Sequence, residues 1–440
     1  MKTKKIFGAA AITVAAAALA SCNKANSANE IVFYNTSGQT LRTVIDEAVK
    51  MFEEKHPDYK VKVTSPGGYE EVKKAIQADL GAGTQPDIAF CYPDHVASYL
   101  VSGTVIDLKP LIEQESFKEI KDDLVEVYYQ EGKTTNYANY KDQGYDDDSI
   151  LTMPFAKSTE LMYVNLNLLK ETTGSETIPT TWEEMWTTCA KIHQAQDSLY
   201  PLTYDSEANM FINYCMQNNI PYTSASGNHY LFSNEQAANY LDDLKTKFDA
   251  KLFTTATKAN VNYTSALFQE KKTVFCIGSS AGAQYQAPKK DSPFKWAVAP
   301  IPGATGANGK VISQGPSLVM FDQDGDRKNM SEKEKMTFEF MTFLLDKDIQ
   351  SSYSQTSGYN PVRKSVLEMP KYQEFLSKDD DIKAVAAKKA TSLTANFYTS
   401  PVFNGSAKAR VEVGTALVNA LGNMSGQQAL EQALANCGGN

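Results

Sequence analysis

Residues 31–100 switch repeatedly between two periodicities, and this narrows the possible folds more than any other feature of the chain. Ile31-Val32-Phe33-Tyr34 is a short apolar run. Leu41, Val44, Ile45, Ala48 and Phe52 then recur at the spacing of one helix face. His56-Pro57 closes that helix, because the residue before a proline is pushed out of helical geometry. Tyr59, Val61 and Val63 alternate with Lys60 and Lys62, which is the period of a strand. A Pro66-Gly67-Gly68 turn leads to a second helical face, Val72, Ala75, Ile76 and Leu80, ended by Gly81 and Gly83. Asp87 to Tyr92 reads as a strand, and Asp94 as the cap of a following helix. A β-α-β-α order predicts a mostly parallel sheet with helices on both faces. Ligands of such folds sit beyond the carboxyl ends of the strands.

The same alternation returns later. Leu161 to Asn165 reads as a strand, and Thr181-Trp182-Glu183-Glu184 opens a helix. Thr273 to Ile277, Trp296 to Ala299 and Leu318 to Phe321 read as strands. Val413, Ala416, Leu417, Ala420, Leu421 and Met424 mark a late amphipathic helix. There is no internal repeat. A chain of 440 residues has room for two or three such units.

The first 21 residues belong to export rather than to the fold. Lys2, Lys4 and Lys5 precede an uncharged alanine-rich run, Ile6 to Ala20, too short to span a bilayer. Leu19-Ala20-Ser21-Cys22 resembles a bacterial lipobox, which makes Cys22 the lipidated residue, with acyl chains such as palmitate on the mature terminus. Residues 22–29 form a polar tether. Removing residues 1–21 takes away three lysines and no acids, so the net charge moves from −9 to −12. No basic excess or stripe is present for nucleic acid. Besides Cys22 there are five cysteines, an odd number without a Cys-x-x-Cys pair, and Cys91 and Cys276 read as buried small residues within strands.

Several kinds of chemistry lack their parts. The four histidines, His56, His95, His193 and His229, include no helical metal pair. There is no phosphate loop. Gly278-Ser279-Ser280-Ala281-Gly282 fits a nucleophile elbow, but the triad histidine should follow the serine, and none follows His229. The small residues read instead as a ligand-contacting loop. Asp322-Gln323-Asp324-Gly325-Asp326 fails as a calcium loop, since Arg327 and Lys333 occupy the positions that need Gly and Glu. Asp146-Asp147-Asp148 reads as a charged surface loop. No cofactor and no catalytic residue is assigned.

Several segments resemble the extracellular solute-binding proteins (family 1) of ABC importers. They are the helix ending in His56-Pro57-Asp58-Tyr59, the stretch Ala78 to Asp87, Tyr163-Val164-Asn165 and Pro179 to Glu184. Glycerol-3-phosphate- and glycerophosphodiester-binding members are the most similar. The resemblance implies a bilobal α/β periplasmic-binding-protein fold of type II, two doubly wound lobes joined by hinge crossovers. It implies an N-terminal lobe from 30–155 and 308–352 and a C-terminal lobe from 156–307 and 353–440. Crossovers are expected at Pro154 to Ser158, Pro300 to Val311 and Ser352 to Tyr359. By the same resemblance the ligand-binding residues are Tyr69, Ser158, Ser279, Gly315, Tyr359 and Arg410, with Asp94 near the acidic position occupied here by Pro93. Arg410 is suited to grip a phosphate in two-pronged fashion. The family's tryptophan pair is replaced by Asp205 and Ala208, which leaves Tyr204 or Phe211 to supply an aromatic face. The implied protein is a monomeric, lipid-anchored lipoprotein of the cell envelope, periplasmic or on the outer face of a bacterial membrane. Its partners are a polyol phosphate, phosphodiester or sugar, and an ABC permease with a cytoplasmic ATPase. An oligosaccharide-binding protein, a glycerophosphodiester-acting enzyme and a surface adhesin are the alternatives.

Overall fold

The structure, a computed structural model, describes residues 28–306, 309–327 and 329–438. The export segment, Cys22 and most of the tether lie outside the described residues. In chain order the strands are β1 (Glu30–Tyr34), β2 (Lys60–Thr64), β3 (Ile88–Cys91), β4 (Met153–Pro154), β5 (Ala156–Lys157), β6 (Glu160–Asn165), β7 (Tyr200–Tyr204), β8 (Phe253–Thr255), β9 (Thr273–Ser279), β10 (Trp296–Pro300), β11 (Val311–Ile312), β12 (Ser317–Met320), β13 (Asn360–Pro361) and β14 (Phe397–Tyr398).

Two five-stranded sheets organise the chain, in the orders β2-β1-β3-β12-β4 and β10-β6-β9-β7-β8. The first grows from the alternation read in residues 31–100. The Gln39–Lys55 helix buries Val44, Ile45, Ala48 and Phe52 against it, and the Tyr69–Ala82 helix buries Val72 and Ile76. All four residues of β3 are buried, as expected for a strand covered on both faces. The expectation of a mostly parallel sheet holds for only part of each lobe. β1 is parallel to β2 and β3, and β7 to β8 and β9. β12 runs antiparallel to β3 and β4, and β6 antiparallel to β9 and β10. The antiparallel strands adjoin the crossovers, so they enter their sheets from the other lobe rather than through a helix of their own. The cap expected at Asp94 is also displaced. Tyr92 is the N-cap of the Pro93–Leu100 helix, Pro93 fills the first helical position, and Asp94 falls in the first turn.

Three crossovers lie side by side. β5 pairs with β13, matching Lys157 to Asn360 and Ala156 to Pro361. On its other side the Ser158 amide donates to the Gln314 carbonyl at 2.9 Å, and the Gln314 amide returns the bond at 2.9 Å. The Phe155 amide donates to the Pro316 carbonyl at 3.1 Å. Gly315 makes this approach possible. Its φ is +99°, and a Cβ there would stand 2.2 Å from the Ala156 carbonyl oxygen.

The crossovers differ in place from the sequence expectation. Val311 and Ile312 pack in the core of the second sheet, which moves the second crossing from 300–311 to the residues just after Ile312. Tyr353 and Val362 pack with the first sheet, and the chain rejoins the second core only at Ile382. The crossings consist of two-residue strands paired to distant segments, and no local periodicity marks them.

A buried ion pair pins this region. The Lys157 ammonium, 1% exposed, donates to Glu131 Oε2 at 2.5 Å and to the Ser317 hydroxyl at 3.4 Å. The other Glu131 oxygen accepts from the Ser313 hydroxyl at 2.5 Å. The five cysteines of the described residues are free thiols, and Cys91 and Cys276 are fully buried. Among the described residues no helix is long and apolar enough to cross a membrane.

Candidate functional site

A cavity of about 650 Å³ opens between the two lobes. Its first-lobe wall begins where β3 ends, at Tyr92, and where the Gly67-Gly68 turn delivers Tyr69 to a helix start. Tyr69 stacks on Tyr92 with ring centroids 3.9 Å apart and planes inclined by 22°. The His95 ring meets the Tyr92 ring edge-on at 5.4 Å. His95 Nε2 stands 3.6 Å from Glu70 Oε1, and His95 and Lys73 together hold the Glu70 carboxyl down at about 2. Burial raises the phenols of Tyr69, Tyr92 and Tyr359, so each stays protonated at neutral pH as both donor and acceptor.

The crossovers supply the floor: Ser158, Gln314 and Tyr359. The second lobe supplies Asp205, Tyr263, Ser265, Ser279, Ala281, Gly282, Tyr285 and Gln286. Ser279 ends β9 and caps the turn after it, its hydroxyl accepting from the Ala281 amide at 3.2 Å. That leaves the hydroxyl hydrogen for a solute. No histidine lines the cavity among the described residues. Tyr263 and Tyr285 stand at the rim, 68% and 61% exposed.

Asp205 follows β7 directly. Its Oδ1 accepts from the Thr264 amide at 2.6 Å and the Thr264 hydroxyl at 2.7 Å. Burial pushes its carboxyl up, and the two Thr264 bonds pull the other way. Its Oδ2 lies across the β9 backbone at Gly278, where a Cβ would come within 2.5 Å of it. The side-chain oxygens of Gln286 and Gln314 are buried and have no partner.

The structure therefore gathers Tyr69, Ser158, Ser279 and Tyr359 into one cavity. Gly315 adjoins it through Gln314, and its own geometry serves the approach of the crossovers. Asp94 and Arg410 stand apart from this group. They line a pocket of about 40 Å³ on the far side of Tyr92, with Ser313, Thr399 and Ser400. Arg410 Nη2 donates to Asn209 Oδ1 at 2.8 Å, and Asn209 Nδ2 donates to Glu160 Oε1 at 2.8 Å. The Tyr204 hydroxyl and Asn213 Nδ2 donate to the other Glu160 oxygen. Burial still pushes Glu160 up to about 7. Arg410 is thus anchored to a buried polar network of the second lobe. Tyr204 and Phe211, the expected aromatic substitutes, are fully buried in that lobe and turn no face to the cavity.

Tyr92, Tyr263, Ser265, Tyr285, Gln286 and Gln314 escaped the sequence reading, and Asp205 entered it only as a departure from the family's pattern. Tyr92 and Asp205 had a usable signal, since each directly follows a strand carboxyl end. Tyr263 and Tyr285 had none, being two tyrosines among 23.

The family model for bacterial extracellular solute-binding proteins matches residues 47–384. The sn-glycerol-3-phosphate-binding periplasmic protein UgpB of Yersinia pestis bv. Antiqua (strain Antiqua) is 24% identical over 362 residues, 80% of this chain and 78% of its own. Among solved structures, UgpB of Mycobacterium tuberculosis in complex with glycerophosphocholine superposes with a TM-score of 0.73 at 16% identity, over 93% of this chain and 97% of that one. The cyclic α-maltosyl-1,6-maltose binding protein of Arthrobacter globiformis gives 0.72 at 17%, over 93% and 97%. These structural likenesses establish the two-lobed fold.

Proposed function

We propose, from the premise that the chain belongs to the bacterial extracellular solute-binding proteins, that its cleft captures a neutral polyhydroxylated solute, a sugar or short oligosaccharide, for an ABC importer. The observation that carries this reading is the make-up of the cavity lining. It holds five tyrosines, three serines, two glutamines and one carboxylate, and among the described residues no lysine or arginine. Tyrosine rings suit the C–H faces of a sugar, and hydroxyls, amides and a carboxylate suit its hydroxyls. A volume of about 650 Å³ falls within the range of small-molecule sites. A phosphate in the same space would meet Asp205 with no cation to offset the repulsion.

Solute bridging Tyr69 and Tyr92 on one side and Asp205 and Ser279 on the other favours closure about the crossovers. It does so only to the extent that it binds the closed form better. No bond is made or broken, and release is to the permease. Cys22 tethers the protein to the envelope by lipid.

One observation favours a second reading. Arg410 borders the smaller pocket across Tyr92, and relatives of the chain are named for glycerol-3-phosphate. A glycerol phosphate or glycerophosphodiester would then set its phosphate at Arg410 and its polyol beside Tyr69. Calorimetric titration of the mature protein with maltose, maltotriose, sn-glycerol 3-phosphate and glycerophosphocholine separates the two. The neutral reading expects binding of a sugar and none of either phosphate. Tight binding of a phosphate compound that Arg410→Ala abolishes would replace it by the second.

A further inference from the structure

We propose that Asp205 sets the specificity of the cleft, its Oδ2 accepting a hydrogen bond from a solute hydroxyl and turning away anions. The proposal deepens the neutral-solute reading and rests on it. Two observations carry it. Asp205 is the one carboxylate among the described residues of a lining that has no lysine, arginine or histidine. Its orientation is fixed, because Oδ1 is held by both the amide and the hydroxyl of Thr264, and Gly278 leaves the space into which Oδ2 is laid. A hydroxyl of a sugar ring can donate to Oδ2, whereas a phosphate group sets negative charge against it with no lining cation to offset the repulsion.

The test uses the mature protein with maltotriose and sn-glycerol 3-phosphate as calorimetric probes. Asp205→Asn keeps an oxygen for Thr264 but replaces the outward acceptor by a donor and removes the charge. It is expected to lose at least 10-fold in maltotriose affinity, the size of one charge-assisted hydrogen bond, and to gain affinity for the phosphate. Gly278→Ala pushes the carboxylate off its seat with the charge kept. It is expected to lose sugar affinity without gaining phosphate affinity. Unchanged maltotriose affinity in both variants overturns the role of Asp205 and leaves the neutral-solute reading standing. A wild-type preference for sn-glycerol 3-phosphate, or no heat with either probe, overturns both.

Discussion

Replacing Lys157 by methionine keeps the length and apolar stem of the side chain and removes only its charge. The ammonium is 1% exposed and Glu131 6%, so the carboxylate left behind has no water to turn to. Its remaining partner is the Ser313 hydroxyl. Orphaning one member of a buried pair typically costs about 3–5 kcal/mol. A second route to the magnitude agrees. A lone buried carboxylate escapes by taking up a proton, at about 1.4 kcal/mol for each pH unit above the ordinary carboxylate value near 4.3. That cost is roughly 4 kcal/mol at pH 7 and about 1 kcal/mol at pH 5. The loss caused by Lys157→Met is therefore expected to shrink by about 3 kcal/mol between pH 7 and pH 5. Adding Glu131→Gln removes the stranded charge and should recover most of the stability at pH 7. Urea denaturation followed by circular dichroism at both pH values measures all three proteins. A loss below about 1 kcal/mol at pH 7, or one that does not change with pH, would refute the reasoning.

Other outcomes concern Glu160, Gly315 and the Cys22 motif of the sequence. The folded value of Glu160, about 7, lies above its unfolded value, so the fold holds the proton more tightly than the unfolded chain does. Its contribution makes stability fall as pH rises from about 4.5 to about 7 and level off beyond. Glu160→Gln should flatten that part of the melting-temperature profile, and an unchanged slope would count against a buried titrating carboxyl. Gly315→Ala combines a positive φ with a clash against the Ala156 carbonyl, and should cost at least about 1–3 kcal/mol in urea denaturation; a neutral result would mean that the crossovers yield easily. Cys22→Ala should move the protein from the membrane fraction to the soluble exported fraction, and retention in the membrane would exclude lipid on that cysteine as the anchor.

Much of the first lobe was readable because its elements are local. The periodicities of Val44 to Phe52 and of Tyr59 to Val63 need no partner to be recognised. Tyr69, Ser158, Ser279 and Tyr359 came from the resemblance to a known family rather than from any local periodicity, and all four line the cavity. Long-range pairing stayed hidden. Nothing near Ile312 announces that it packs in the second core, because its partners are β14 and Asn213, whose Oδ1 accepts from the Ile312 amide at 2.9 Å. Arg410 was legible as a helix-start cation, but its bond to Asn209 depends on two helices about 200 residues apart in the chain. Asp205 drew notice only as a departure from a pattern. Its bearing on the cleft comes from Thr264 and Gly278, which no spacing ties to it.

The ribbon of three adjacent links has a further consequence. Each half of the molecule is assembled from separate stretches of chain, so neither corresponds to one contiguous piece that could be cut out and expressed alone. A protease nick in the exposed turn near Ala304 would sever the backbone once, yet β5, β13 and residues 313–316 would still hold the halves together. A nicked preparation should therefore migrate as two fragments under denaturing conditions and as one particle under native ones.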